Sequence, residues 1–240
     1  MTIYLPELDS DLLSFPSPEE ARQEPDGLLA LGGDLTVKRL VEAYNHGIFP
    51  WYGPDEPILW WSPATRAVIV PGDFTPSRSL KKFYRQSNYT ISINVNTKKV
   101  IELCGSSRSE DEMWLNPEMQ FAYSKLASAG HCHSVEVWQD RELIGGLYGI
   151  QVGKLFCGES MFSVKSNASK IALWAFCEHF HLYGGELIDC QVLNPHTRSL
   201  GAIEITRTDF LNRLESLKVA ELDSSCYQPQ WLNIPPSNKL

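Results

Sequence analysis

Asp189 and Gln191 stand two residues apart in the apolar run Leu187-Ile188-Asp189-Cys190-Gln191-Val192-Leu193. On an extended strand, side chains two apart point the same way, with Cα atoms about 7 Å apart, while Cys190 and Val192 point oppositely. An acid and an amide therefore share one face of a strand that otherwise reads as core-bound. Burying them costs free energy unless they are paired or put to chemical use. A plain exposed sheet face is the alternative. Glu159 raises the same question in Phe156-Cys157-Gly158-Glu159-Ser160-Met161-Phe162, where alternation places it beside Met161. An acid next to an apolar neighbour suits a site that takes a cation beside a hydrophobic group, although an ordinary strand salt bridge fits as well.

Two helical stretches add further candidates. Leu173, Phe176 and Phe180 recur at i, i+3 and i+7, and Ile171, Trp174 and Cys177 widen the apolar face beyond one stripe. Most of this surface is core, yet packed against a strand bearing Ile188 it could wall a pocket for an apolar ligand. Arg78, Lys81, Lys82 and Arg85 fall at i, i+3, i+4 and i+7 and line up on one helical face. Such a ridge can meet phosphates, or it can simply be solvated. The histidine pairs His131-x-His133 and His179-x-His181 lack a carboxylate or cysteine at zinc-site spacing, so no metal site is expected. Gly32-Gly33 and Gly145-Gly146 match no phosphate loop, and no GxSxG elbow occurs.

The elements that must position these residues divide at about residue 65. Residues 1–65 are dense in Pro, Gly and aromatics, with turn signals at Phe15-Pro16-Ser17-Pro18, Glu24-Pro25-Asp26-Gly27 and Gly53-Pro54. One helix is expected there, from Val37 to His46, with Thr36 as N-cap and Gly47 as its stop. A small loop-rich unit follows from this. Residues 66–240 are more regular. Strands are expected at 67–70 and 89–95, a basic helix at 77–86, and helices at 98–103 and 117–129. An antiparallel meander at 133–138, 142–150 and 154–164 leads into a long helix at 168–183 and a strand at 186–193. Meander, helix and strand make an α+β pattern. The tail after Leu222 reads as irregular chain.

With 240 residues and 43% hydrophobic content, the chain can bury a substantial core. A net charge of −8 argues, as an average, against nucleic-acid binding, which makes the basic ridge stand out. Six scattered cysteines without a CxxC pair point to reduced, packed thiols. The first residues show no basic segment followed by an apolar run, and no stretch approaches the ~18 apolar residues of a membrane span. A cytoplasmic location is the expectation.

Several stretches together resemble the leucyl/phenylalanyl-tRNA–protein transferases. They include Glu24-Pro25-Asp26-Gly27-Leu28-Leu29-Ala30-Leu31-Gly32-Gly33-Asp34-Leu35, Gly47-Ile48-Phe49-Pro50-Trp51 and Leu59-Trp60-Trp61-Ser62-Pro63. His133-Ser134-Val135-Glu136-Val137-Trp138, Gly158-Glu159-Ser160-Met161-Phe162-Ser163, Asn167-Ala168-Ser169-Lys170 and Leu187-Ile188-Asp189-Cys190-Gln191 continue the match in order. The resemblance implies a small N-terminal domain on a C-terminal domain of the GCN5-related N-acetyltransferase fold, acting as a monomer. It implies transfer of Leu, Phe and, less well, Met from aminoacyl-tRNA to the α-amine of proteins beginning with Arg or Lys, marking them for degradation, with no cofactor. By motif match, Asp189 and Gln191 would be catalytic, Gln191 facing the amine and Asp189 orienting it. Glu159 with Asp189 would hold the acceptor's cationic side chain. Trp51, Trp114, Phe156, Met161, Leu173, Phe176, Phe180 and Ile188 would form the aminoacyl pocket, and Arg78, Lys81, Lys82 and Arg85 would contact tRNA. Ile188 sits on the opposite alternation from Asp189 and Gln191, so one shared site requires a bulge or bend in this strand. Val164-Lys165-Ser166-Asn167-Ala168-Ser169 stands where acetyltransferases carry an [RQ]xxGx[GA] pyrophosphate loop, which counts against acetyl-CoA as donor. An acetyl-CoA-dependent acetyltransferase and a non-catalytic tRNA-binding protein are the competing readings.

Overall fold

A computed structural model describes residues 4–9, 11–106 and 115–234. The first part of the chain forms β1 (Glu7–Leu8), β2 (Leu28–Gly32), α1 (Val37–Asn45), β3 (Phe49–Pro50) and β4 (Leu59–Trp61). Its strands make a small sheet in the order β1-β2-β4-β3. Thr36 caps α1 by accepting from Arg39 N–H, and Gly47 follows at a φ of +71°. A side chain at Gly47 would strike Leu211 and Phe210, so the residue serves both the left-handed turn and close packing.

The chain then enters a larger sheet through β5 (Thr65–Ile69), followed by α2 (Arg78–Gln86), β6 (Thr90–Ile93), α3 (Thr97–Ser106) and α4 (Pro117–Ser128). The meander is β7 (Cys132–Gln139), β8 (Glu142–Val152) and β9 (Leu155–Ser163). It leads to α5 (Ala168–Leu182) and β10 (Leu187–Gln191). The remaining elements are α6 (Pro195–Ser199), β11 (Ile203–Thr206), α7 (Arg207–Leu217) and β12 (Gln230–Leu232). Eight strands run in the order β11-β5-β10-β9-β8-β7-β6-β12.

The mixed α/β fold matches the α+β expectation, and the meander, long helix and return strand lie within a residue or two of their expected ends. The tail departs from expectation. Gln230, Trp231 and Leu232 pair antiparallel with β6, because a short polar-apolar segment gains ladder hydrogen bonds that no local pattern announces. The loop-rich N-terminal segment likewise hides a four-stranded sheet built from strands too short to show periodicity.

Apolar layers cover both faces of the large sheet. On one, α5 buries Ile171, Ala172, Leu173, Trp174, Phe176 and Phe180 against Ile69, Val135, Leu147, Phe156 and Ile188. On the other, Tyr44, Ile48 and Trp60 from the first part of the chain share one core with Val100, Met119, Tyr123, Cys157 and Phe210. The small sheet thus packs on the larger one through a continuous core, and its edge strand β3, with Trp51 just beyond it, reaches a gap in the large sheet.

Candidate active site

That gap follows from strand register. β9 and β10 pair in parallel only as far as Asp189 opposite Cys157, although β9 continues to Ser163 and β10 to Gln191. Both strands bulge where they part. Tyr148 faces Ser160 and Gly149 faces Gly158, leaving Glu159 as the extra residue in β9. Asp189 faces Val68 and Gln191 faces Ala67, leaving Cys190 extra in β10. Bulges re-aim side chains next to sites, and here they turn Glu159 and Gln191 toward each other.

A cavity of about 380 Å³ opens at this point. Phe156, Leu173, Phe176, Ile188, Ile69 and Leu147 form its apolar wall, Trp51, Met161 and His196 line it from the loop and strand side, and Glu159, Cys190 and Gln191 are its polar edge. Trp51 is 49% exposed and sits edge-on to Trp61. The size and lining suit one apolar side chain with a polar head.

A hydrogen-bonded chain runs along that polar edge. Gln191 Nε2 donates to Glu159 Oε1 at 2.9 Å, Tyr123 Oη donates to Glu159 Oε2 at 2.7 Å, and the Tyr44 and Tyr123 hydroxyls lie 2.9 Å apart. Gln191 Oε1 has no partner among the described residues and is free to accept. Glu159 keeps some access to the cavity while its carboxyl group lies deep within protein. Burial, reinforced by the Asp189 charge and opposed by hydrogen bonding from Tyr123 and Tyr44 and by Arg66, pushes its pKa up to about 7.

Behind this edge stands an ion pair. Arg66 Nε and Nη2 donate to Asp189 Oδ1 and Oδ2 at 2.9 and 2.8 Å, and Arg66 Nη1 donates to Gly47 O at 2.7 Å. The guanidinium also lies between the Phe49 and Phe210 rings, 4.9 and 4.4 Å from their centroids. Burial works to lower the Arg66 pKa, and the charge and hydrogen bonds of Asp189 outweigh it, leaving a net rise. Asp189 Oδ1 further accepts from Gln191 N–H at 2.8 Å. This bond holds Gln191 in its left-handed backbone, φ +61°, a conformation that costs free energy outside glycine.

Two expectations are corrected. Alternation puts Asp189 on the face of Gln191, and the resemblance puts it against the acceptor. The bulge turns it instead into the core, where it is 0% exposed and both oxygens are occupied by Arg66 and Gln191 N–H, so it cannot hold an acceptor cation. Phe180 does not line the cavity, because it stacks behind Phe176 at 5.1 Å and supports it from the core. Trp114 lies outside the described residues. Trp51, Phe156, Met161, Leu173, Phe176, Ile188, Glu159 and Gln191 all meet at the one cavity. Arg78, Lys82 and Arg85 are exposed and Lys81 half-buried, on a helix that sets Leu80 into the core and Tyr84 edge-on to Trp174.

Arg66, Tyr44 and Tyr123 are site residues that sequence reasoning missed. For Arg66 a signal existed, since a lone arginine followed by Ala67-Val68-Ile69 in a strand must find a buried partner. The tyrosines gave none, because helix periodicity marks them as ordinary core. Among the described residues no group of three or more His, Cys, Asp or Glu could hold a metal ion, and no helix is long and apolar enough to cross a membrane.

Comparison with known proteins adds the family. The model for the leucyl/phenylalanyl-tRNA protein transferase matches residues 68–215, and that for the N-terminal domain of the same enzyme matches residues 33–64. The leucyl/phenylalanyl-tRNA–protein transferase of Vibrio atlanticus (strain LGP32) is 63% identical over 98% of this chain and 100% of its own. That of Vibrio vulnificus (strain CMCP6) is 62% identical over 97% of this chain and 98% of its own. Among solved structures, a GCN5-related N-acetyltransferase from Kribbella flavida aligns with a TM-score of 0.38 and 13% identity, covering 68% of this chain and 58% of that one. With two family models matched in order and identity above 60% across nearly its whole length, this chain belongs to the leucyl/phenylalanyl-tRNA–protein transferase family.

Proposed function

We propose that this protein transfers leucyl or phenylalanyl groups, and methionyl less well, from aminoacyl-tRNA to the α-amine of proteins beginning with Arg or Lys, marking them for degradation. One observation carries the reading: an apolar cavity of about 380 Å³ has Gln191 at its polar edge, with a carbonyl oxygen that has no partner among the described residues. The donor side chain enters the cavity, which brings its ester carbonyl to that edge. The acceptor nitrogen attacks the carbonyl carbon. A C–N bond forms, the C–O bond to the tRNA ribose breaks, one amine proton is lost, and the ribose oxygen gains one. Ester to amide is downhill, so the chemistry asks for orientation and proton handling rather than for ATP, metal or cofactor.

A free α-amine has a pKa near 8, so roughly a tenth to a fifth is neutral at pH 7. Gln191 Oε1 accepts a hydrogen bond from that amine and aims its lone pair. Glu159 fixes the Gln191 amide through Nε2 and, when ionised, attracts the acceptor's cationic side chain. Asp189 acts as a positioning residue, holding Gln191 through its backbone N–H rather than touching substrate. Arg78, Lys81, Lys82 and Arg85 meet tRNA phosphates. Residues 1–65 contribute Phe49, Pro50 and Trp51 to the cavity and residues 66–240 the rest, which is the functional sense of a division at 65. The reading has the protein act as a monomer in the cytoplasm.

The deciding experiment incubates the protein with labelled Leu-tRNA or labelled acetyl-CoA and a peptide beginning with Arg. Label reaching the peptide from tRNA supports the reading. Label from acetyl-CoA replaces it with acetyl transfer, and label from neither rejects both.

A further inference from the structure

A second cavity of about 390 Å³ adjoins the first, with Ile69 and Leu200 lining both. It lies between the aminoacyl cavity and α2, because Thr75, Pro76, Ser77 and Leu80 form its other side. Lys170 and Arg198 supply two cations to its wall, and Asp73 supplies a carboxylate. Lys170 makes no ion pair or hydrogen bond among the described residues. Its charge reaches His196 on the rim of the first cavity, whose imidazole pKa is lowered by partial burial and then by Lys170. Among the described residues the Arg198 side chain pairs with Glu204 alone, at 3.8 Å between exposed side chains, an ion pair of little free energy.

We infer that this second cavity binds a nucleotide unit of the donor's single-stranded 3′ end, with Lys170 and Arg198 on its phosphate and Asp73 accepting from a ribose hydroxyl. The inference rests on the proposed use of aminoacyl-tRNA. If the aminoacyl group fills the first cavity, the polynucleotide must leave across its rim. The exit toward α2 passes two under-used cations and then the exposed Arg78 and Lys82. Phosphate contacts of this kind fix register without reading sequence. A free lysine in a half-buried wall costs less when an anion pairs with it.

The test pairs Lys170→Ala with Arg198→Ala and offers three donors: leucyl-adenosine, which has no phosphate, a leucyl-trinucleotide ending in the tRNA 3′ sequence, and Leu-tRNA. Expected is a KM about tenfold or more higher for the trinucleotide and tRNA, from two lost phosphate contacts, with leucyl-adenosine within about twofold of the parent. Lys170→Arg with Arg198→Lys should restore most of the loss. Equal loss for all three donors, or no loss for any, overturns the subsite. Fluorescence anisotropy of the uncharged trinucleotide gives a readout independent of transfer, and unchanged affinity in the double-alanine variant also overturns it. Wild-type protein that binds the trinucleotide through these two residues yet transfers from no donor would leave the subsite standing and remove the proposed reaction.

Discussion

Arg66 and Asp189, 123 positions apart, meet in a two-point ion pair with side chains 1% and 0% exposed. The pair ties β5 to β10, and through Gly47 O it ties both to the segment that carries Trp51. Buried pairs of this kind add little net stability over an apolar substitute, but removing one partner strands a charge in the core. Asp189→Ala should therefore cost about 3 to 5 kcal/mol of folding stability. Asp189→Asn, which keeps an acceptor oxygen for the guanidinium, should cost less. Urea denaturation measures both, and a loss under about 1 kcal/mol for the alanine variant would contradict the assigned burial of the pair.

The same geometry separates positioning from contact in catalysis. Gln191→Ala removes the carbonyl oxygen at the cavity edge, whereas Asp189→Asn keeps one acceptor oxygen but sets an NH2 against Arg66 Nη2, which displaces the side chain that holds the Gln191 backbone. Both should lower single-turnover transfer at least about a hundredfold, in the range of lost hydrogen-bonding catalysis, with tRNA affinity within about threefold. Rapid-quench transfer with saturating Leu-tRNA checks this. Near-parental rates in both variants would remove this strand from the mechanism.

Glu159 makes a prediction about pH. Its folded pKa of about 7 lies above the ordinary 4.5, so the folded state retains a proton that the unfolded chain has released. Stability should fall as pH rises from about 4.5 to 7, by roughly 3 kcal/mol from this group, and level off above. Glu159→Gln should flatten that slope, as read by denaturation at a series of pH values. An incoming cation reverses the shift by favouring the carboxylate. KM for an Arg-initiated peptide should accordingly fall as pH rises through 7 in the parent and not in Glu159→Gln. A parallel fall in both would assign the effect to the acceptor's own amine.

Much of this was legible in the sequence. Period-two alternation in β7 to β9 and the long apolar run of α5 are strong local signals, so the framework emerges at nearly its true boundaries. The pocket residues Phe156, Leu173, Phe176 and Ile188 followed from it by family resemblance. What could not be read was long-range. Arg66 and Asp189 are matched by tertiary pairing. The bulges at Glu159 and Cys190 depend on partner strands, and the Tyr44–Tyr123–Glu159 chain joins three distant elements. Strict alternation misassigned Asp189 for that reason. The same alternation signalled the bulge, since Ile188 and Gln191 could reach one site only if the strand broke its period.

Donor choice should respond to the depth of the cavity. Leu173 lines it and is 4% exposed. Leu173→Ala should enlarge the cavity and favour Phe over Leu by about 1 to 3 kcal/mol, the scale of apolar fit. Phe180→Leu lies behind the Phe176 ring and should instead lower the melting temperature with a smaller change in donor ratio. Competition between Leu-tRNA and Phe-tRNA, scored by mass of the product peptide, distinguishes the two sites. A larger switch from Phe180→Leu would place the determinant in the supporting ring rather than in the wall.

The basic helix supplies the last test. The protein carries a net charge of −8, so long-range attraction to a polyanion must come from a local patch. Arg78, Lys82 and Arg85 are exposed, and no member of the four-residue ridge is ion-paired among the described residues. Each phosphate neutralised releases condensed counterions, so affinity should fall steeply with salt. Replacing Arg78, Lys81, Lys82 and Arg85 with Ala should weaken tRNA binding at low salt. It should also reduce the slope of log affinity against log salt by about 3 to 4, equally for tRNAs of different sequence. Transfer from leucyl-adenosine, which cannot reach the ridge, should stay at the parental rate. An unchanged salt slope would assign the ridge to solvation and leave Lys170 and Arg198 as the nearer candidates for phosphate contact.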